Sequence, residues 1–101
     1  GGAVSELVNP STGEVFATAP VSSAADIDRA YGVAATAFES WKNSTPSERQ
    51  QALLTIANTF EAHAEELVAI ESENTGKPIP VTMEEEIPPM IDQIRFFAGA
   101  A

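Results

Sequence analysis

The sequence predicts a β-hairpin followed by three or four α-helices, with the strands adding to the edge of a sheet supplied elsewhere. Three observations carry that expectation. Two short runs, Val4 to Val8 and Val15 to Ala19, flank a dense turn near the start of the chain. Two capping boxes and a Gly-Lys-Pro stop then mark out successive amphipathic helices. Finally, the stretch from Glu84 to Ala101 places Met90, Ile94, Phe97 and Ala101 at helical spacing, with Ile91, Phe96 and Ala98 widening the apolar face. A face that wide needs a partner on more than one side. It reaches Ala101 in mid-pattern, so the expectation is a piece of something larger, whose last helix packs against what is missing.

Each element has a local reason. Asn9-Pro10-Ser11-Thr12-Gly13-Glu14 is turn chemistry: Pro fixes φ, Gly supplies φ > 0, and Asn, Ser and Thr bond the local backbone. Strands either side of it make a hairpin over about 4–20, closed by Pro20 and marginal without a covering layer. Ser23-x-x-Asp26 has the form of a capping box and starts a helix over about 24–41. Ile27, Ala30, Tyr31, Ala34, Phe38 and Trp41 share one face, and Gly32 suggests a tight crossing. Thr45-Pro46-Ser47-Glu48 is the cleanest signal, with Thr45 as N-cap, Pro46 at the first helical position and Glu48 completing the box. That helix covers about 46–62, with Leu53, Ala57 and Phe60 on one face and a break near His63. A further helix over about 64–75 carries Leu67, Val68 and Ile70 and stops at Thr75-Gly76-Lys77-Pro78. Pro80 and the Glu84-Glu85-Glu86 run lead into a last helix over about 89–101, because Pro88-Pro89 suits a first helical turn and not an interior.

Composition narrows the function. The chain has 101 residues, enough for one domain with a modest core, and an ordinary 44% apolar content. Its formal net charge is -10, with only five Lys and Arg. That argues against nucleic acid and against an anionic membrane surface. It favours solubility and is compatible with a cationic small ligand. Cysteine is absent, so these residues hold no disulfide, thiolate metal site or cysteine nucleophile. No apolar run approaches the roughly 18 residues of a membrane span. The start is not a signal peptide, and Gly1-Gly2 reads as a cloning remnant or as the cut end of a longer chain. The expected location is cytoplasmic.

The polar constellations are few. His63, flanked by Glu61, Glu65 and Glu66, has no second His or Cys to build a ligand set and reads as a solvated residue at a helix junction. Gly76-Lys77 lacks the upstream Gly and the preceding strand of a phosphate loop, so it is a helix stop. Glu84-Glu85-Glu86 is either an acidic mouth for a cation or a solvated loop. Trp41 and the phenylalanines read as core or interface, since no basic residues interleave with them.

Taken in order, the motifs resemble the N-terminal part of the NAD(P)-dependent aldehyde dehydrogenase superfamily. They are Val8-Asn9-Pro10-Ser11-Thr12-Gly13-Glu14, Asp26-Ile27-Asp28-Arg29-Ala30, the stretch Ala34 to Trp41, Arg49 and Leu53, Thr75-Gly76-Lys77-Pro78, and Arg95-Phe96-Phe97-Ala98-Gly99. Each motif is weak and the ordered set is strong. The tail, Glu86-Ile87-Pro88 followed by Phe96 to Ala101, is most similar to the aminobutyraldehyde (aminoaldehyde) branch. The resemblance implies an α/β, Rossmann-related parent fold, in which residues 1–101 are an incomplete N-terminal part of the cofactor-binding domain. It implies oxidation of an aldehyde, here an ω-aminoaldehyde such as 4-aminobutanal, to a carboxylic acid. The cofactor would be NAD or NADP, and the parent a homo-oligomer (dimer or tetramer). The implied chemistry uses a cysteine, a glutamate base, an oxyanion Asn and a nucleotide loop that all come later in the family's chain, so this segment holds no catalytic and no cofactor-binding residue.

Two residue sets do carry over. Glu85, Glu86 and Pro89 match positions facing the substrate tunnel, where acidic residues accompany aminoaldehyde substrates; a carboxylate would pair with the substrate's ammonium end. Leu7, Val8 and Asn74 match a monovalent-cation site built from backbone carbonyls and an acidic residue. Asn74 replaces that carboxylate, so the negative charge is lost. Two rival readings stand beside this one. One is an autonomous helical interaction module whose last helix docks a partner; the other is a noncatalytic relative of the family.

Overall fold

The computed structural model describes residues 2–101, and Gly1 lies outside them. Strands β1 (Val4–Val8) and β2 (Val15–Pro20) form a two-stranded antiparallel sheet. Val4 pairs with Pro20 and Leu7 with Ala17, but Val8 pairs with Val15, so Phe16 is an extra residue opposite Leu7 and Val8. The turn closes as its residue types require. The Asn9 side chain accepts from Ser11 N–H at 2.9 Å, the Asn9 carbonyl accepts from Gly13 N–H at 2.8 Å, and Gly13 adopts φ 75°.

Both capping boxes form. Ser23 caps α1 (Ala24–Trp41): its Oγ accepts from Asp26 N–H at 3.2 Å while the Asp26 carboxylate accepts from Ser23 N–H at 2.9 Å. Thr45 and Glu48 repeat the exchange at the start of α2 (Pro46–Ala62). The N–H groups of Ser23 and Thr45 hold the Asp26 and Glu48 carboxyls below their ordinary pKa values. Helix α2 breaks at His63, and α3 (Ala64–Thr75) follows directly.

The last helical stretch departs from expectation. It starts at a single turn, α4 (Ile79–Val81), widens into a π-helical turn over Thr82–Glu86, and continues as α5 (Ile87–Ala98). The glutamate run is therefore helical, not a lead-in loop. Pro88 and Pro89 explain the widening. They lack N–H groups, and a proline ring in a helix presses on the carbonyl one turn back. The wider turn, in which Ile87 N–H donates to the Thr82 carbonyl five residues earlier, accommodates them. At the other end α5 stops at Ala98, not Ala101. Gly99 N–H and Ala100 N–H donate to Phe96 and Phe97 in a tighter final turn.

Helices α2 and α5 pack side by side, and the π-helical turn touches α3. The buried apolar residues are Ala57 on α2, Val68 on α3, and Ile91 and Ala98 on α5. The covered face of α5 is thus centred on Ile91 and Ala98, while Phe96 (73% exposed) and Phe97 lie outside, packed edge-to-face at 5.3 Å. Helix α1 buries no residue at all: Ile27, Tyr31, Phe38 and Trp41 of its apolar face are open, and Gly32 meets no neighbour. The result is a plate 48 × 38 × 15 Å with a radius of gyration of 17.5 Å. A compact chain of this length has about 13 Å. One layer of helices with an arm is present, and the second layer that would bury it is not among the described residues.

Candidate functional site

The expected site residues fall into two groups that the fold brings close through one joint. Helix α3 ends at Gly76 in the left-handed conformation (φ 75°, ψ 8°), as its position before Lys77-Pro78 predicts. A Cβ at Gly76 would stand 3.0 Å from Pro10 Cγ, so the end of α3 abuts the hairpin turn. The Leu7-Val8 segment leads into that turn, and Asn74 lies in the last turn of α3. The register break at Leu7/Val8 interrupts the strand ladder there. Carbonyls at a helix C-terminus carry partial negative charge. Leu7-Val8 and Asn74 thus lie on adjoining elements. Asn74 offers a carboxamide oxygen but no charge.

The second group stands at the start of the last helix. Glu85 and Glu86 lie in the π-helical turn and Pro89 in the first turn of α5, and all three are exposed. The two carboxylates differ. Lys77 Nζ donates to both oxygens of Glu86, at 3.0 and 2.9 Å, and also stands 3.8 Å from Glu71. The hydrogen bond to Glu86, opposed by partial desolvation, holds the Lys77 ammonium above its ordinary pKa. Glu84 and Glu85 form no ion pair among the described residues. The same turn is anchored from inside by Thr82, 4% exposed, whose hydroxyl donates to the Pro78 carbonyl at 3.3 Å.

Two residues carry more than their sequence context announced. Lys77 reads as part of a helix stop, yet it ties α3 to the π-helical turn. Arg95 spans α5 to α2: its guanidinium donates to Glu61 at 2.6 and 3.3 Å and to the Asn58 side chain at 3.0 Å. That hydrogen bond lowers the Glu61 pKa and raises that of Arg95. These partners are separated by nine, 34 and 37 residues, so no helical or strand period flags them. His63 is as expected for a junction. Its backbone N–H bonds Thr59 and Phe60, its Nδ1 lies 3.0 Å from the Thr59 carbonyl, and no cluster of three metal-ligating side chains occurs among the described residues. No helix among them is long and apolar enough to cross a membrane. The one Gly-Lys pair caps a helix against Pro10 instead of opening one toward a phosphate.

Comparison with known proteins gives one family throughout. The sequence profile of the Aldehyde dehydrogenase family matches residues 2–101. A long-chain-aldehyde dehydrogenase of Acinetobacter sp is 40% identical over 91% of this chain and 18% of its own length. An aminoacetaldehyde dehydrogenase of Pseudomonas aeruginosa is 38% identical over 97% of this chain and 20% of its own length. The NAD+ complex of the Bacillus cereus aldehyde dehydrogenase superposes with a TM-score of 0.93 at 35% identity, over 97% of this chain and 20% of that one. The chain therefore spans about a fifth of the length of the relatives it matches.

Proposed function

We propose a function from one premise: the chain belongs to the aldehyde dehydrogenase family. The whole protein oxidises an aldehyde to a carboxylic acid with NAD or NADP as hydride acceptor, and residues 1–101 form the N-terminal part of its cofactor-binding domain. Family membership supports the reaction class, and the NAD+ complex of the Bacillus cereus relative supports the cofactor. The nucleophilic cysteine that the family resemblance implies lies outside these residues, which contain none. This segment's part in the reaction is to shape the substrate entrance. The enzyme is cytoplasmic and oligomeric in this reading. The open apolar faces of α1 and α5 support its being built against further protein.

The substrate is an ω-aminoaldehyde such as 4-aminobutanal. One observation carries this: Glu85, one turn before Pro89, holds a carboxylate with no ion-pair partner among the described residues, at the start of the helix that the family places beside the substrate tunnel. A protonated amine is the complementary group. The name of the aminoacetaldehyde-oxidising relative agrees, and that of the long-chain relative does not. The decisive assay compares kcat/KM of the full-length enzyme for 4-aminobutanal and for butanal, with Glu85→Gln and Glu86→Gln. Glu85→Gln should lower the preference for the amino substrate, and Glu86→Gln, whose carboxylate is paired with Lys77, should lower it less. A preference indifferent to both removes the acidic entrance.

Leu7 and Val8 carbonyls with Asn74 form a monovalent-cation site in the same reading. Lacking a carboxylate, it holds its ion by dipoles alone and binds weakly.

A further inference from the structure

We infer that Lys77 is a specificity-setting positioning residue: it holds Glu86 out of the entrance and leaves Glu85, with Glu84, as the carboxylates open to a cationic substrate. The inference rests on the aminoaldehyde reading and deepens it. Three observations lead to it. The ammonium engages both Glu86 oxygens at 2.9 and 3.0 Å, a two-point contact that fixes the carboxylate's direction as well as its charge. It also lies 3.8 Å from Glu71 on α3, so one cation ties two acidic groups from different elements. And it is the only cation ion-paired with the glutamate run among the described residues. Arg29 pairs with Asp26, Lys42 with Glu39 and Arg95 with Glu61, while Arg49 donates to the Ser44 carbonyl.

The consequence is electrostatic. Glu86 remains half-exposed while paired, so its charge is masked by Lys77 and not by burial. Removing the ammonium would unmask a carboxylate one position from Glu85. The entrance would gain a full negative charge within a Debye length of the bound amine. The pair is solvent-exposed, so the gain is of the size of an exposed ion pair, about two- to fivefold in affinity.

The test is Lys77→Met in the full-length enzyme, assayed with 4-aminobutanal and butanal at low and high salt. KM for the amino substrate should fall about two- to fivefold at low salt, less at high salt, with kcat and the butanal KM unchanged. Lys77→Arg should keep the wild-type values, because it keeps the charge. Adding Glu86→Gln to Lys77→Met should abolish the gain, since the unmasked carboxylate is then gone. Parallel changes for both aldehydes would show that Lys77 serves only to hold the fold, and would overturn the inference. So would a gain that survives Glu86→Gln. If Glu85→Gln lowers the amino preference but Lys77→Met leaves it unmoved, the inference fails alone. If neither change moves it, the aminoaldehyde reading fails and takes the inference with it.

Discussion

The strongest physical expectation concerns this chain alone, cut from the rest of its protein and followed over a wide range of concentration. Its accessible surface is 7271 Å² for a mass of 10.6 kDa. A compact folded chain of that mass exposes about 5,500 Å². The excess, about 1,800 Å², matches both sides of a standard protein interface taken together, and here one side carries it all. With somewhat over half of it apolar, the burial forgone is worth up to about 25 kcal/mol. Net stabilities of domains are about 5–15 kcal/mol. The missing burial is therefore larger than the whole stability such a domain would have, and the isolated chain should not hold this fold as a monomer. Far-UV circular dichroism should show helix with a broad melt, or a melt that moves with concentration as copies cover one another. A dye that binds exposed apolar surface should bind strongly. A sharp, concentration-independent transition at monomer mass would refute the reasoning. It would also favour the rival reading of an autonomous interaction module.

Two further expectations concern the joint and the caps. Gly76→Ala places a Cβ on a left-handed residue, costing about 1–2 kcal/mol, and sets it 3.0 Å from Pro10 Cγ. The thermal midpoint of the full-length protein should fall, and Pro10→Ala in the same chain should recover only the clash; an unchanged midpoint would mean that the hairpin turn moves freely from α3. Acidification should also destabilise. Asp26, Glu48 and Glu61 have folded pKa values below their unfolded ones, chiefly through hydrogen bonds from the Ser23 and Thr45 N–H groups and from Arg95. The stability they contribute is full above the unfolded carboxylate range near 4 and is lost as pH falls through the folded values. Lys77 and Arg95 are shifted the other way and hold their contribution until strongly alkaline pH. Thermal midpoints of wild type and Glu48→Gln should therefore converge as pH drops below about 4; a constant gap would remove the cap as the acid-sensitive element.

What was legible in the sequence is what local chemistry decides. The hairpin turn, both capping boxes, the break at His63 and the left-handed stop at Gly76 each depend on residues within four positions of one another. The start of the last helix was not legible, because Pro88-Pro89 admits two solutions. A helix can begin at the prolines, or an earlier one can reach them through a widened turn. Packing of Thr82 and of the turn against α3 selects the second. The phase of α5 is open in the sequence for a related reason. Its face is apolar almost all round, so periodicity alone does not say that Ile91 and Ala98 turn inward against α2 while Phe96 and Phe97 remain open. Of the candidate site, the acidic run is plain in the sequence, but the inequality of Glu85 and Glu86 is not. It is set by an ammonium nine residues from Glu86, beyond two prolines.

That inequality also explains why motifs that are individually weak hang together. The Asn9-Pro10 turn touches the cap at Gly76; the residue after the cap, Lys77, grips Glu86; and Glu86 closes the wide turn from which α5 departs. These contacts follow one another along the chain from Gly76 to Glu86. If Gly76 lost its left-handed conformation, the chain would leave α3 in another direction and Lys77 would point elsewhere. If Lys77 let go, the π-helical turn would keep only Thr82 and its contacts with α3 as anchors. The hairpin is thus joined to the π-helical turn through Gly76 and Lys77. A change at Pro10 should reach the π-helical turn along this line of contacts and not through the bulk of the plate, which is one helix thick and has little core through which to carry it.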